Sequence, residues 1–452
     1  MSNNSYVPKG GLSRRQIIQG AGAAGGALSV GLILPHTSWA ADAPPPAIVV
    51  GQLVPFTGSA GIFGTHYRDA AALAFKQINE AAKAVFGGPI ISKVVVADSE
   101  TLPEPAIAAA KQIITADGAP VLLVGWSSGV TVAVATAVTI PSGVLQVADG
   151  ATSPLISVLP ANQKAHLLFR TSPSDLEQAA LAAKLVNGGV FPNYKFSRVA
   201  TTFINNPYGQ GLSNAFTKDF EHLGGKVLTQ VPHPEKVQPT YRSELQQALK
   251  DKPELLMMIT YPAQTTIICK ESRDIFHYTS WQFTDANQSM AVLHDVGPAT
   301  LNGKLGTSPE AETGAPTYIA FAERYKKDYH HNTIPPFTAD VYDAAAVVGL
   351  AIAKAIADGY TDPKKITGRV LADRMDVVAN TPGVAVDGGT EKGLQKGMEL
   401  IKAGKKISYN GVGGPVDFAP NGDVRRPIGI WKFTETGIDI IKVVPADKIP
   451  VI

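Results

Sequence analysis

The stretch Ile48-Val49-Val50-Gly51-Gln52-Leu53 determines the predicted fold. Its apolar, β-branched residues are typical of a buried strand, and Pro55 ends the run. After a glycine-rich loop over 58–64, apolar residues recur at helical spacing with polar residues elsewhere on the cylinder. These apolar residues are Ala71, Ala74, Phe75, Ile78 and Ala82. A buried strand followed by an amphipathic helix is the repeating unit of an α/β protein.

The same unit recurs in two series along the chain. The first series continues with strands at 93–97, 121–125 and 144–148 and helices at 105–116 and 130–137. The second follows Phe169-Arg170-Thr171, with strands at 198–204, 226–230, 255–260 and 281–285 and helices at 174–185, 211–222, 241–250 and 264–276. Two long helices then cover 317–329 and 339–357, and short strands cover 416–418, 428–433 and 438–443. Strands that alternate with helices predict parallel sheets with helices on both faces.

Residues 1–40 have the parts of a secretory signal peptide. A positive region without acidic residues is followed by the apolar stretch Gly20–Leu34, and Ser38-Trp39-Ala40-Ala41 provides small residues for cleavage. Arg14-Arg15 and the glycine-rich apolar region indicate twin-arginine export, although Ile17 stands where such signals usually carry Phe. The apolar stretch is too short to cross a membrane. We therefore expect an exported, soluble periplasmic protein, with residues 41–46 as a proline-rich leader and no membrane insertion after cleavage.

Length and charge exclude several classes of protein. Cleavage after Ala40 would leave 412 of the 452 residues, enough for two domains. It would remove Lys9, Arg14 and Arg15 but no acidic residue, and so leave 37 basic and 38 acidic side chains. Such a balance argues against nucleic acid and against an anionic membrane surface as partners. Cys269 is the only cysteine, which excludes an internal disulfide and a cysteine metal cluster.

Several short segments follow one another along the chain: residues 50–58 (VGQLVPFTG), 149–154 (DGATSP), 168–171 (LFRT), 206–211 (NPYGQG), 342–344 (YDA) and 415–418 (PVDF) with 422–424 (GDV). In this order they resemble the type I periplasmic binding proteins of ABC importers, the branch that contains leucine/isoleucine/valine-binding proteins. The resemblance covers nearly the whole mature chain. It implies two doubly wound parallel-sheet lobes joined by a hinge of three chain crossings.

The resemblance also implies where the lobes divide. Lobe one would hold 47–169 and 312–410, and lobe two 170–311 and 411–452. The lobes would close on a small amino acid or related carboxylate and deliver it to the membrane permease of the importer. The alternatives are a binder of an aromatic acid, amide or urea-like solute, a periplasmic receptor that feeds a sensor kinase, and an exported α/β enzyme.

Ligands of open parallel sheets bind beyond the carboxyl ends of the strands, where loops meet the starts of helices. Two such loops, 127–129 and 151–153, are rich in small and hydroxyl residues beside a helix start, which suits a carboxylate. By resemblance, Ser128, Gly150, Ala151 and Thr152 would hold the carboxylate-like end of the ligand. Ser128 and Ser153 could instead be ordinary helix caps, a role that we favour for Ser153 only.

By resemblance, Tyr208 and Tyr261 would close over the ligand from lobe two, although Tyr208 could instead pack on its own helix. Phe63 or Trp126, in loops after strands, could form an apolar wall for the ligand or be a core residue. Asp285 would pair with an α-ammonium group, because a buried carboxylate needs such a partner. Asp149 is a second acidic residue that could take this role. Asp285 thus decides between an amino acid and a purely acidic ligand.

The remaining candidate residues and motifs suggest no catalytic reaction. His330 and His331 are adjacent and lack the spacing of metal ligands, so we expect no metal. The sequence carries no nucleophile elbow, phosphate loop or dinucleotide fingerprint, and we expect no cofactor. Cys269 lies in an apolar helix, as a buried small hydrophobic residue would. We therefore expect a binding protein and not an enzyme.

Overall fold

The computed structural model describes residues 44–449, and the predicted signal peptide lies outside them. The strands are β1 (Ile48–Val54), β2 (Ile91–Asp98), β3 (Val121–Val124), β4 (Leu145–Ala148), β5 (Leu168–Arg170), β6 (Arg198–Ile204), β7 (Lys226–His233), β8 (Leu255–Ile259), β9 (Trp281–Phe283), β10 (Leu305–Pro309), β11 (Val384–Asp387), β12 (Ile407–Asn410), β13 (Ile428–Phe433) and β14 (Ile438–Val444).

The helices are α1 (Gly64–Phe86), α2 (Pro103–Asp117), α3 (Ser128–Val134), α4 (Pro154–Ser157), α5 (Pro160–Ala165), α6 (Asp175–Val186), α7 (Pro207–His222), α8 (Arg242–Leu249), α9 (Pro262–Asp274), α10 (Met290–Val296), α11 (Pro298–Leu301), α12 (Pro316–Tyr329), α13 (Thr338–Ala357), α14 (Gly368–Ala379) and α15 (Glu391–Lys402). None of the helices in this part of the chain is both long and apolar enough to cross a membrane.

Two large sheets organise the described residues, and β11 and β12 form a small parallel sheet of their own. The first has the order β2-β1-β3-β4-β5 and is parallel throughout. The second has the order β14-β13-β10-β9-β8-β6-β7, parallel from β10 to β7, with β13 antiparallel to both of its neighbours. The predicted α/β fold with two parallel-sheet lobes is confirmed. We call the first sheet and its helices lobe one, and the second sheet and its helices lobe two.

The long helices of lobe one pack tightly over its sheet. Helix α13 is buried along nearly its whole length, as its apolar composition requires. A Cβ on Gly349 of α13 would lie 2.6 Å from Ile78 Cδ1 of α1, so only glycine lets the two helices approach this closely. The predicted helices at 317–329 and 339–357 correspond to α12 and α13.

The prediction of a strand at 416–418 was wrong. The main-chain N–H of Phe418 donates to Asn380 Oδ1 at 2.8 Å, and its carbonyl accepts from Asn380 Nδ2 at 2.7 Å. A side chain therefore satisfies the backbone groups that a neighbouring strand would have used. The helix expected at 264–276 begins earlier, at Pro262, because proline is favoured in the first turn of a helix, where its missing N–H costs nothing.

The chain passes between the lobes after β5, after β10 and before β13. Arg426, buried just before β13, joins two of these crossings. Its guanidinium donates to Asp343 Oδ2 at 2.9 Å, to the Thr171 carbonyl at 3.2 Å and to the Pro415 carbonyl at 3.1 Å. A buried guanidinium with this many acceptors is satisfied in place, so these segments are held together at one point.

Candidate functional site

The strand ends of the two sheets face each other across the boundary between the lobes. Ser153 Oγ, after β4, donates to the Pro207 carbonyl at the start of α7, 2.7 Å away. The main-chain N–H of Ala263, after β8, donates to the Ser59 carbonyl at 3.4 Å. These bonds join loops at the carboxyl ends of parallel strands, the place where open α/β sheets bind ligands.

Four aromatic rings form a continuous stack across this boundary. Phe63 stacks on Trp126 in lobe one, with ring centroids 5.3 Å apart. The Trp126 ring meets the edge of Tyr261 of lobe two at 4.4 Å, and Tyr261 stacks on Tyr208 at 5.7 Å. All four side chains are buried. The structure thus brings together the four aromatic residues that the sequence proposed for opposite sides of the ligand.

Trp126 adopts a left-handed backbone conformation with φ of 71°, which is rare for a bulky residue and indicates local strain. The next loop fits around it, because a Cβ on Gly150 would lie 3.1 Å from Trp126 Cα. Asp149, one residue earlier, is fully buried and forms no salt bridge among residues 44–449. Burial raises the pKa of Asp149 to about 7, and the main-chain N–H groups of Trp126 and of Asp149 itself oppose this rise only in part.

The two adjacent serines after β3 have different roles. Ser127 caps α3 by accepting from the Val130 N–H, and its Oγ also accepts from the Tyr261 hydroxyl at 3.3 Å across the boundary. Ser128 Oγ accepts from the Ser153 N–H at 3.1 Å, so it holds the neighbouring loop of its own lobe. The sequence proposed Ser128 as a ligand contact. It did not propose Ser127, although the cap position before the helix was a usable signal.

We call residues Gly150–Ser153, which connect β4 to α4, the β4 loop. Ala151, Thr152 and Ser153 are buried, and Ser153 caps α4 as predicted, with Pro154 in the first turn. Through Ser128, this loop is bonded to the start of α3. The three candidate contacts in the β4 loop and the two serines after β3 therefore form one small, hydroxyl-rich wall.

Two buried carboxylates, those of Asp285 and Asp175, lie on the lobe-two side of the site. Asp285 Oδ1 accepts from Gln178 Nε2 at 2.8 Å and from the Tyr208 hydroxyl at 2.9 Å. Burial raises the pKa of Asp285 to about 6, and these two hydrogen bonds oppose the rise. Asp175 is fully buried and forms no salt bridge in the described part of the chain. Burial, followed by the nearby charge of Asp285, raises the pKa of Asp175, and the Thr152 side chain beside its carboxylate opposes the rise.

Asp175 also approaches the opposite wall, because its main-chain N–H donates to the Thr152 carbonyl at 2.7 Å. Asp175 was not predicted from the sequence, although it follows the helix cap Ser174 directly after the first crossing. The two buried arginines near the chain crossings already form salt bridges elsewhere: Arg170 pairs with Asp423 at 2.7 Å, and Arg426 pairs with Asp343. Neither arginine forms a salt bridge with Asp175 or Asp285, although the charge of Arg170 lowers the pKa of Asp175.

A cavity of about 350 Å³ opens beside the aromatic stack. Phe63 and Pro336 of lobe one and Met290 of lobe two are among its walls. Glu310, after β10, also lines it, and burial raises the pKa of Glu310 to about 7. Space bounded by both lobes is formed only when the lobes are together.

Other candidate groups lie apart from this site. His331 Nε2 is 2.8 Å from Asp69 Oδ2, and its ring lies against His66 with centroids 4.1 Å apart. Among residues 44–449, no group of three or more His, Cys, Asp or Glu side chains could hold a metal ion. Cys269 is buried, and burial raises the pKa of its thiol, which disfavours the reactive thiolate.

Comparisons with known proteins identify relatives of this chain by sequence and by fold. A family described as periplasmic binding protein matches residues 47–437. The chemotactic signal transduction system substrate-binding protein BasB of Halobacterium salinarum is 26% identical over 399 residues, which cover 87% of this chain and 88% of BasB. Two solved structures share the fold. A leucine binding protein, LivK, of Thermotoga maritima has a TM-score of 0.70 at 20% identity and covers 89% of this chain and 99% of its own. A solute binding protein of an ABC transporter from R. palustris, in complex with benzoate, has a TM-score of 0.66 at 17% identity and covers 88% and 97%.

Proposed function

We propose that this chain, which belongs to the periplasmic binding protein family, holds a small amino acid or related ammonium-bearing carboxylate between its two lobes. The observation that carries the proposal is the pair of buried carboxylates, Asp175 and Asp285, opposite the hydroxyl-rich wall of the β4 loop. A buried carboxylate without a salt-bridge partner is costly to ionise, and an ammonium group between the lobes would supply one.

The opposite wall suits the other end of an amino acid. Ser127, Ser128 and Thr152 present hydroxyl groups, and hydroxyl and main-chain N–H donors are the usual partners of a ligand carboxylate. The aromatic stack lies between the lobes, where its faces would also favour a cation. An amino acid has both charges close together, as these two walls require.

The second candidate is an aromatic acid, amide or urea-like solute. The benzoate complex favours it, since that protein shares the fold, and the four aromatic rings would accept a flat ligand. A benzoate ion, however, would bring a negative charge toward Asp175 and Asp285 and no cation for either. An amide could donate hydrogen bonds to them, so amides stay in the test below.

The ligand class is tested by the melting temperature of the protein with L-leucine, L-isoleucine, benzoate and acetamide, because a ligand that binds only the folded state raises it. We expect the amino acids to raise it and benzoate to leave it unchanged. Asp285→Asn should abolish the increase, whereas Asp373→Asn, on the exposed face of α14, should preserve it. An increase with benzoate alone would establish the second candidate instead.

We further propose that the protein acts in the periplasm, after removal of residues 1–40, and delivers its ligand to the membrane permease of an ABC importer. The residues named in the site suggest no catalytic reaction. The resemblance to BasB favours the alternative of a receptor that passes occupancy to a signalling partner. Uptake of radiolabelled ligand by cells that lack the chain separates the two roles: loss of uptake supports transport, and loss of the behavioural response with normal uptake supports sensing.

A further inference from the structure

Residues 170–175, which form the first crossing between the lobes, donate hydrogen bonds to the main-chain carbonyls of residues 151, 152 and 153 in the β4 loop. The Ala151 carbonyl accepts from Ser172 Oγ at 3.0 Å and from Arg170 Nη1 at 3.4 Å. The Thr152 carbonyl accepts from the Asp175 N–H at 2.7 Å, and the Ser153 carbonyl accepts from Arg170 Nη1 at 3.1 Å. Donors from one short segment thus fix the orientation of three consecutive residues.

This orientation sets the direction of the loop's N–H groups. In a planar trans peptide the C=O of one residue and the N–H of the next point in opposite directions. The Ser153 N–H, which follows the Thr152 carbonyl, points to Ser128 Oγ at 3.1 Å. The Thr152 N–H likewise points away from Arg170, because the preceding carbonyl points toward it. The segment that holds the carbonyls therefore also directs the N–H donors.

Within this segment, Arg170 forms hydrogen bonds with several different parts of the structure. Its guanidinium is fully buried. Besides the two loop carbonyls, its Nε donates to Asp423 Oδ1 at 2.7 Å and its Nη2 donates to Ser157 Oγ at 2.7 Å. Its main-chain N–H donates to the Gly422 carbonyl at 2.9 Å. One side chain thus links the β4 loop, helix α4 and the chain before the third crossing.

We propose that Arg170 is a positioning residue for ligand binding, which holds the β4 loop in its binding orientation and couples that orientation to the chain crossings through Asp423. This inference rests on the proposed function, in which the β4 loop contacts the ligand. Lysine at position 170 would keep the positive charge but could not reproduce the planar fork of donors that serves Asp423, Ser157 and the loop together. The loop would then lose its fixed orientation.

Arg426 is the matched control. It is equally buried and equally bonded near the crossings, to Asp343, Thr171 and Pro415, but it makes no hydrogen bond to the β4 loop. Arg426→Lys should therefore lower the melting temperature as Arg170→Lys does, without altering the loop. The comparison separates a loss of loop orientation from a general loss of stability.

Two measurements on the full-length mature protein test the proposal. The first is amide hydrogen exchange of residues 150–153 without ligand, which we expect to accelerate about tenfold in Arg170→Lys and less than about twofold in Arg426→Lys. The second is the Kd for L-leucine, expected to rise about tenfold in Arg170→Lys and less than about threefold in Arg426→Lys.

Equal acceleration of exchange in the two variants, or none in Arg170→Lys, would overturn the role of Arg170. So would a rise in Kd that simply follows the loss of melting temperature in both variants. If L-leucine does not bind the wild-type protein, the proposed ligand class fails. The exchange measurement still tests whether Arg170 fixes the orientation of the β4 loop.

Discussion

The hydroxyl of Tyr261 in lobe two donates a hydrogen bond to Ser127 Oγ in lobe one, at 3.3 Å. The same hydroxyl accepts from Asn206 Nδ2 at 3.0 Å, and Asn206 also donates to Glu235. The cap of helix α3 is thereby connected to the start of α7 across the cleft. Because this bond joins the lobes, it is formed only when they are closed, and it favours closure with or without a ligand.

Tyr261→Phe should shift the ligand-free protein toward an open form. The ring, its contact with Trp126 and its burial are kept, and only the hydroxyl that joins the lobes is lost. We expect a larger radius of gyration by small-angle X-ray scattering and a Kd for ligand that rises about two- to tenfold. Tyr278→Phe is the control, since that hydroxyl bonds to the Pro253 carbonyl within lobe two. An unchanged radius of gyration would contradict the prediction.

Gly150→Ala should weaken both stability and binding. The added Cβ would lie 3.1 Å from Trp126 Cα and 3.3 Å from its backbone nitrogen, atoms that cannot move aside without displacing the strained Trp126. We expect a loss of about 1–3 kcal/mol in the free energy of unfolding, measured by urea denaturation. Gly314→Ala, where a Cβ meets nothing within 4 Å, should change neither property. Equal effects at the two glycines would show that the fit around Trp126 is unimportant.

The affinity for an amino acid should rise with pH through the pKa of Asp285, which burial places at about 6. An ammonium group binds the ionised carboxylate, so the protonated form below pH 6 binds it poorly. We expect the Kd for L-leucine to fall by up to about tenfold per pH unit between pH 5 and 6 and to level off above pH 7. Asp285→Asn should remove this dependence; a pH profile that survives the substitution would assign it to another group.

Asp149→Asn should stabilise the ligand-free protein near neutral pH. Burial raises the pKa of Asp149 from near 4 to about 7, so between these values the folded protein retains a proton that the unfolded chain releases. The free energy of unfolding of the wild type therefore falls as the pH rises from about 4 to about 7. The variant avoids burying a charge, and we expect it to be more stable at pH 8 by on the order of 1 kcal/mol, with little difference at pH 4.

Denaturation with urea at both pH values checks this prediction, with Asp373→Asn as the exposed control. An identical pH slope in wild type and variant would contradict it.

Much of the fold could be predicted from local sequence. The run that begins at Ile48 forms β1, and the periodic residues between Ala71 and Ala82 lie on one buried face of α1. These predictions succeed because a buried strand and an amphipathic helix depend on residues that are neighbours in the sequence. The strand expected at 416–418 failed for the opposite reason, since its partner is the side chain of Asn380, which is distant in sequence.

The candidate site shows the same division. The sequence placed Phe63 and Trp126 in loops after strands, the family resemblance added Tyr208 and Tyr261, and the structure packs all four rings into one stack. Local patterns could not distinguish Ser127 from Ser128, because the difference is whether the hydroxyl meets Tyr261 or Ser153. Nor could they identify Asp175, whose neighbours Asp285 and Thr152 belong to other loops.

The sequence by itself determined the alternation of strands and helices and the family resemblance, and it proposed the loops at which a ligand would bind. Only the tertiary structure decided which side chains of those loops face one another, which carboxylates lack a salt bridge and that Arg170 bonds to the β4 loop. The reason is physical. Secondary structure follows from patterns within a few residues, whereas burial, hydrogen bonding and pKa depend on atoms brought together from distant parts of the chain.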